Sequence, residues 1–164
     1  MLVRDVMNRR VARIRRTATM REAAELASLT HVSDLMVVDD TGRFVGLLAE
    51  GDLIRAVMPD IDELTHAGGS LEDAFAAFVE TGRKLADESI ERLIIDEPIL
   101  LQPGDPLLKA ATVMVSQQIR RLAVVENGIL VGTVSRADVC WGLLAERAPG
   151  ASEDESSDGG PDER

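Results

Sequence analysis

The chain of 164 residues carries 18 Lys+Arg against 29 Asp+Glu, a formal net charge of −11, and 45% of it is hydrophobic, enough for one domain or two small halves. That acidity, with 2% aromatics and no Tyr, excludes a broad phosphate-neutralising surface or a base-stacking platform for nucleic acid. The single Cys140 excludes an intrachain disulfide and a Cys-based zinc set, and no run approaches the ~18 apolar residues of a membrane span.

The first 21 residues hold seven arginines against Asp5, a local net of +6. Thr19 and Glu22 have the spacing of a capping box and predict a helix start, followed by a narrow face of Ala23, Ala24 and Ala27. His31 falls at the end of that helix, where a cation suits the negative end of the dipole. Leu35–Val38 and Phe44–Leu48 are short apolar strands, and the acidic Asp39-Asp40 between them reads as a hairpin tip in preference to a metal site. Pro59 and Gly68-Gly69 then punctuate the chain. Ser70 caps a further helix with Leu71, Ala74, Phe75, Phe78 and Val79 on one face, expected to pack on the body or on a second subunit.

Beyond it, Asp105 as N-cap and Pro106 at the first helical position predict another helix with an Ala110, Ala111, Met114 face. Leu122–Val125 and Ile129–Val134 are strands joined through Asn127-Gly128, a strong hairpin signal. Val139, Cys140, Trp141, Leu143 and Leu144 lie on a last helix and are expected in the core or at a dimer contact. From Pro149 the chain is Gly, Ser, Asp and Glu with a net of −5, the composition of a disordered tail.

A repeat organises these elements. Sliding the chain by 87 residues lays Thr19–Ala24 on Pro106–Ala111 and Leu35–Val38 on Leu122–Val125; after a one-residue deletion, Phe44–Leu48 falls on Leu130–Val134 and Asp52 on Asp138. Val3–Met7 has its counterpart in Ile90–Ile94. The expected organisation is a first β-α-β-β-α repeat at 1–58, a helical linker at 59–89, a second repeat at 90–146 and an acidic tail at 147–164.

The second copy ends its last strand with Gly132-Thr133-Val134-Ser135-Arg136-Ala137-Asp138, and the first with Gly46-Leu47-Leu48-Ala49-Glu50-Gly51-Asp52. A helix N-terminus offers unpaired N–H groups to an anion. There, Ser135 can cap the helix or donate to a phosphate oxygen, Asp138 can accept ribose hydroxyls, and Arg136 can fork onto phosphate. Ser-x-x-Asp is equally the pattern of a plain helix cap. With the helix, strand and hairpin before each copy, the pattern resembles a pair of cystathionine-β-synthase-type (CBS) domains, with a Gly-h-h-(Ser/Thr)-x-x-Asp signature in which h is apolar.

The resemblance implies an α/β (α+β) fold of two repeats related by pseudo-twofold symmetry, with ligand clefts between them. It implies that an adenosine-type ligand has its ribose on Asp138 and its phosphate near Ser135 and Arg136. Adenine is then gripped by backbone around Ile99, Leu100 and Leu101, and Arg120 and Arg121 add phosphate contacts. The first copy departs from the pattern: Ala49 lacks the hydroxyl, Ser33-Asp34 stand in place of Arg120-Arg121, and Asp52 alone remains as a ribose acceptor or a helix cap. One competent site per chain, in the second copy, is therefore expected, with a degenerate first site for a nucleoside without phosphate or for nothing. The N-terminal arginines either reach a polyphosphate there or form a solvated surface.

The implied protein is a stand-alone, non-enzymatic regulatory module, homodimeric through its last helices and cytoplasmic. It binds AMP, ADP or ATP ahead of S-adenosylmethionine or NAD and signals to a regulated partner protein, with no nucleic acid or membrane. A ligand-free dimerisation or scaffold module is the alternative. The chain has no P-loop, no dinucleotide-binding glycine fingerprint and no metal-binding His-x-x-x-His.

Overall fold

Two three-stranded sheets organise the computed structural model, which describes residues 1–144, without the side chains of residues 63–65; the acidic tail expected from residue 147 lies outside the described residues. In the first sheet β1 (Arg13–Arg15) runs parallel to β2 (Asp34–Val38), and β2 is antiparallel to β3 (Phe44–Ala49). The second sheet repeats this order with β4 (Leu100–Leu101), β5 (Arg121–Glu126) and β6 (Ile129–Ser135). A parallel pair needs a crossover, and α2 (Met20–Thr30) and α6 (Leu107–Ser116) supply it. The antiparallel pairs close through hairpins; Asn127 (φ 53°) and Gly128 (φ 80°) take the left-handed conformations that a two-residue turn requires. Even the irregularities repeat: each middle strand shifts register at matching residues, Val37/Val38 and Val124/Val125.

Helices α3 (Glu50–Val57) and α7 (Arg136–Leu144) follow the last strand of each repeat. Between the repeats lie α4 (Ile61–His66) and α5 (Leu71–Leu85), the latter begun by a Ser70–Asp73 capping box. Thr19 and Glu22 form the corresponding box on α2, and the Thr19 N–H and hydroxyl hold the Glu22 carboxyl below its usual range. The start of α6 differs from the expected one. Pro106 is the cap residue, and the Asp105 carboxylate instead accepts the Gln102 N–H and the Lys109 ammonium, each at 2.8 Å, which depresses its pKa. One oxygen thereby pins both the turn before the helix and its first turn.

The leading segments are exchanged between repeats. The short helix α1 (Val3–Val6) opens the first repeat in sequence, yet Val3 is buried in the second core with Leu101, Leu107, Ala110, Met114, Leu122, Val124, Val134 and Val139. Ile90, on a 3₁₀ turn at Ile90–Leu93, is buried in the first core with Ile14, Met20, Ala23, Leu35, Val37 and Leu48. A third cluster, Met36, Val38, Ala123 and Leu130, joins the two sheets. Each large side chain so buried contributes about 1.5–3 kcal/mol, so both the exchanged segments and the shared cluster tie the repeats together.

On two helices the expected packing faces divide between the body and the monomer surface. Ala74 is buried on α5, but Leu71 and Phe75 on the same face are 82% and 65% exposed. Val139 is core, whereas Cys140 and Leu143 are exposed and Trp141 and Leu144 are 68% and 79% exposed, so the end of α7 belongs to the surface of the monomer.

Candidate functional site

The signature glycines are explained by what crosses them. A Cβ on Gly46 would lie 2.3 Å from the Ile95 carbonyl oxygen, and one on Gly132 would lie 3.0 Å from the Met7 sulfur and 3.1 Å from the Asn8 carbonyl oxygen. At each glycine the leading segment of the other repeat runs antiparallel across the last strand. Leu47 and Ile95 exchange two backbone hydrogen bonds (3.2 and 2.8 Å), as do Asn8 and Thr133 (2.8 and 2.9 Å). These paired crossings leave two clefts, both lined by Asp34 and Arg121, and each contains residues of both repeats.

The larger cleft has a volume of about 580 Å³. Leu47, Ala49, Glu50 and Gly51 come to it from the first signature, Ile95, Glu97, Pro98 and Ile99 from the segment entering β4, and Ile119, Arg120, Arg121 and Leu122 from the α6–β5 turn. The smaller, about 190 Å³, is lined by Asn8, Arg10, Val11 and Ala12, with Thr30, Val32, Asp34, Arg121 and Thr133. The structure thus divides the residues singled out in the sequence. Ile99, Arg120 and Arg121 sit with the first signature, while Ser135, Arg136 and Asp138 line neither cleft. Leu100 is 38% exposed at the sheet edge, and the Leu101 side chain is in the second core.

Ser135 and Asp138 are bonded to each other. The Ser135 N–H and Oγ both donate to Asp138 Oδ2 at 2.7 Å, and the Asp138 N–H donates to Ser135 Oγ at 3.2 Å, a complete capping box on α7. The Arg136 guanidinium donates to the Ile119 and Met114 carbonyl oxygens at 2.9 and 3.0 Å, satisfying the C-terminal end of α6. Asp52 is ion-paired with Arg55 one turn along α3. Arg121 Nη1 donates to the hydroxyl of the buried Thr133 at 3.1 Å, and Ser33 Oγ to Asp34 at 2.9 Å. Among the described residues, Arg120, Glu50 and Glu97 form no ion pair.

The N-terminal arginines are mostly committed elsewhere. Arg13 donates to the Leu130 carbonyl, and Arg15, Arg16 and Arg21 pair with Asp40, Glu91 and Asp87; Arg10 alone of the seven lines a cleft. Asn8, Val11 and Ala12, and Ile95, Glu97 and Pro98 ahead of the expected Ile99, escaped the sequence reading as site residues. Their signal was present in the 87-residue slide, which places Asn8 on Ile95 and Ala12 on Ile99. Asp39 is a turn residue as expected: its carboxylate accepts the Thr41 hydroxyl and the Thr41 and Arg43 N–H groups, which lower its pKa.

The CBS domain family profile matches residues 3–59 and 87–144. The chain belongs to the CBS domain family. This CBS pair is 41% identical over 155 residues to the protein MJ1426 of Methanocaldococcus jannaschii, a match covering 88% of this chain and 92% of that one. It is 29% identical over 136 residues to MJ1225 of the same organism, covering 83% of this chain but only 40% of MJ1225. Among solved structures, the CBS-pair protein CBSX2 from Arabidopsis thaliana shares the fold at a TM-score of 0.72 and 24% identity, over 88% of this chain and 94% of that chain. A crystal structure of CBSX2 in complex with AMP matches at a TM-score of 0.66 and 22% identity, over 88% and 96% of the respective chains. No helix among the described residues is long and apolar enough to cross a membrane.

Proposed function

We propose that this CBS pair is a regulatory module that binds an adenine nucleotide or adenosyl ligand between its repeats, with AMP, ADP or ATP ahead of S-adenosylmethionine or NAD. The observation that carries this reading is the composition of the larger cleft. It offers apolar walls from Leu47, Ile95, Pro98, Ile99 and Leu122 for a base, and two guanidinium groups, Arg120 and Arg121, for phosphate. The volume of about 580 Å³ is that of a small-molecule pocket. A structural relative, CBSX2, has been crystallised with AMP.

The expected second-copy site becomes a weaker candidate, because Ser135 and Asp138 satisfy each other and Arg136 serves α6. A ligand touching both repeats stabilises the arrangement in which both walls meet it, and a partner protein that reads that arrangement receives the signal. Thermal denaturation with AMP, ADP, ATP, S-adenosylmethionine and NAD tests the reading. A ligand at about 100 times its Kd adds about 2.7 kcal/mol to stability. Arg120→Ala should diminish the shift more than Asp138→Ala does. A panel without any shift removes the reading.

The exposed apolar residues favour a second property, homodimerisation. Trp141, Leu143 and Leu144 on α7, and Leu71 and Phe75 on α5, are all more than half exposed. If the chain is instead a ligand-free scaffold, it sediments as a dimer with no shift from any nucleotide, and Trp141→Ser dissociates it.

A further inference from the structure

The larger cleft carries an unusual charge pattern for a nucleotide site. Three carboxylates, Asp34, Glu50 and Glu97, line it beside only two cations, Arg120 and Arg121. None of the five is ion-paired with a described residue. Two of the carboxylates are departures from the repeat: Glu50 stands at the position of Arg136, and Asp34 at that of Arg121. Much of the remaining wall is aliphatic, and low-dielectric walls strengthen the action of such charges on a bound ion.

From this balance we infer that Glu50 and Glu97 are specificity-determining residues that make the cleft discriminate adenine nucleotides by phosphate number, taking AMP ahead of ATP. The inference rests on the adenine-nucleotide reading of the same cleft and deepens it. Two guanidinium groups match the charge of one phosphate monoester. Each further phosphoryl group adds negative charge that finds no third arginine on the cleft wall and meets carboxylates instead. Adenosine leaves both arginines unanswered, so AMP stands at the optimum between them. The smaller cleft has the opposite balance, Arg10 and Arg121 against Asp34, but only about a third of the volume.

Isothermal titration of the full chain with adenosine, AMP, ADP and ATP at constant ionic strength, once in EDTA and once with Mg²⁺, tests this. AMP is expected to bind most tightly and ATP at least about tenfold more weakly in both buffers. In Glu50→Gln and Glu97→Gln variants the ratio of ATP to AMP affinity should rise, by about tenfold in the double variant. Glu97 is exposed in a connecting segment, so its single variant reads the ratio even if a change at Glu50 impairs folding. ATP binding as tightly as AMP in either buffer overturns the inference and leaves the nucleotide reading intact, as does a ratio unmoved by Glu97→Gln and the double variant. Failure of all four probes to bind overturns both.

Discussion

Asp34 and Arg121 open the middle strands of the two repeats at positions 87 residues apart, carry opposite charges, and each line both clefts. A pseudo-twofold relation that would give matched clefts instead places an acid on one side of the dyad and a base on the other. The two do not form an ion pair. Arg121 is held by the hydroxyl of Thr133, which is 1% exposed, and Asp34 by Ser33. Each charge is thereby fixed to its own repeat but presented to the cavities that the repeats share.

Arg121→Gln should therefore have two effects. It removes the guanidinium donor from a buried hydroxyl, at a cost of about 1 kcal/mol in urea denaturation. It should also weaken AMP binding, measured by titration. Thr133→Val is the control, because the half-buried Arg121 can turn to water; it should cost less than the arginine substitution and leave AMP affinity the less affected. A larger stability loss from Thr133→Val would show that side-chain packing around Thr133, rather than the hydrogen bond, is what matters.

Gly46→Ala should destabilise the chain by about 1–3 kcal/mol, because the new Cβ meets a backbone carbonyl at 2.3 Å that only a shift of the crossing segment can relieve. Gly132→Ala should cost less, since its nearest neighbour is the flexible Met7 thioether at 3.0 Å. Chemical denaturation of the two variants orders them directly. The reverse order would mean that the Ile95 crossing yields more easily than the Asn8 crossing.

Those crossings also mark the limit of what could be read from sequence. The two copies, their element order and their hairpins were legible because periodicity, caps and the Asn127-Gly128 turn are local signals, and the slide repeats each of them. The exchange of leading segments was not legible. Val3 and Ile90 are apolar residues before a strand in either arrangement, and nothing local says which core receives them. The same ambiguity governs the clefts. A signature motif read along the chain joins Ser135 and Asp138 to Ile99 of the same copy, whereas the fold brings Ile99 to Ala49–Gly51 of the other. Arg136 illustrates a third limit: an arginine at a helix start is equally suited to an anion and to the carbonyls ending a neighbouring helix, and only tertiary structure chooses.

Arg136→Ala should accordingly reveal a structural role. Loss of two charge-assisted bonds to the Ile119 and Met114 carbonyls should cost about 1–2 kcal/mol, at the lower end because the residue is exposed. The loss, measured as a change in the urea midpoint, should be equal with and without saturating AMP. A deficit that grows in the presence of AMP would assign the guanidinium to the nucleotide instead.

Ala49→Ser asks whether the degenerate signature can be repaired. Ala49 is the cap residue of α3, with extended backbone (φ −87°, ψ 140°) and no side-chain bond to the helix, and Asp52 stands at the third helical position, as Asp138 does after Ser135. A hydroxyl at position 49 should close a second capping box once Asp52 turns from Arg55, and the surrendered pair is solvent-exposed on the arginine side and so worth little. The expected gain is about 0.5–1 kcal/mol, a rise in Tm of roughly 1–4 °C. Although Ala49 lines the larger cleft, the one proton of the new hydroxyl is then committed to Asp52, as that of Ser135 is to Asp138, so AMP affinity should stay unchanged. Higher stability without tighter AMP binding would confine the repaired motif to capping; lower stability would mean that the Asp52–Arg55 pair contributes more to α3 than a cap can return.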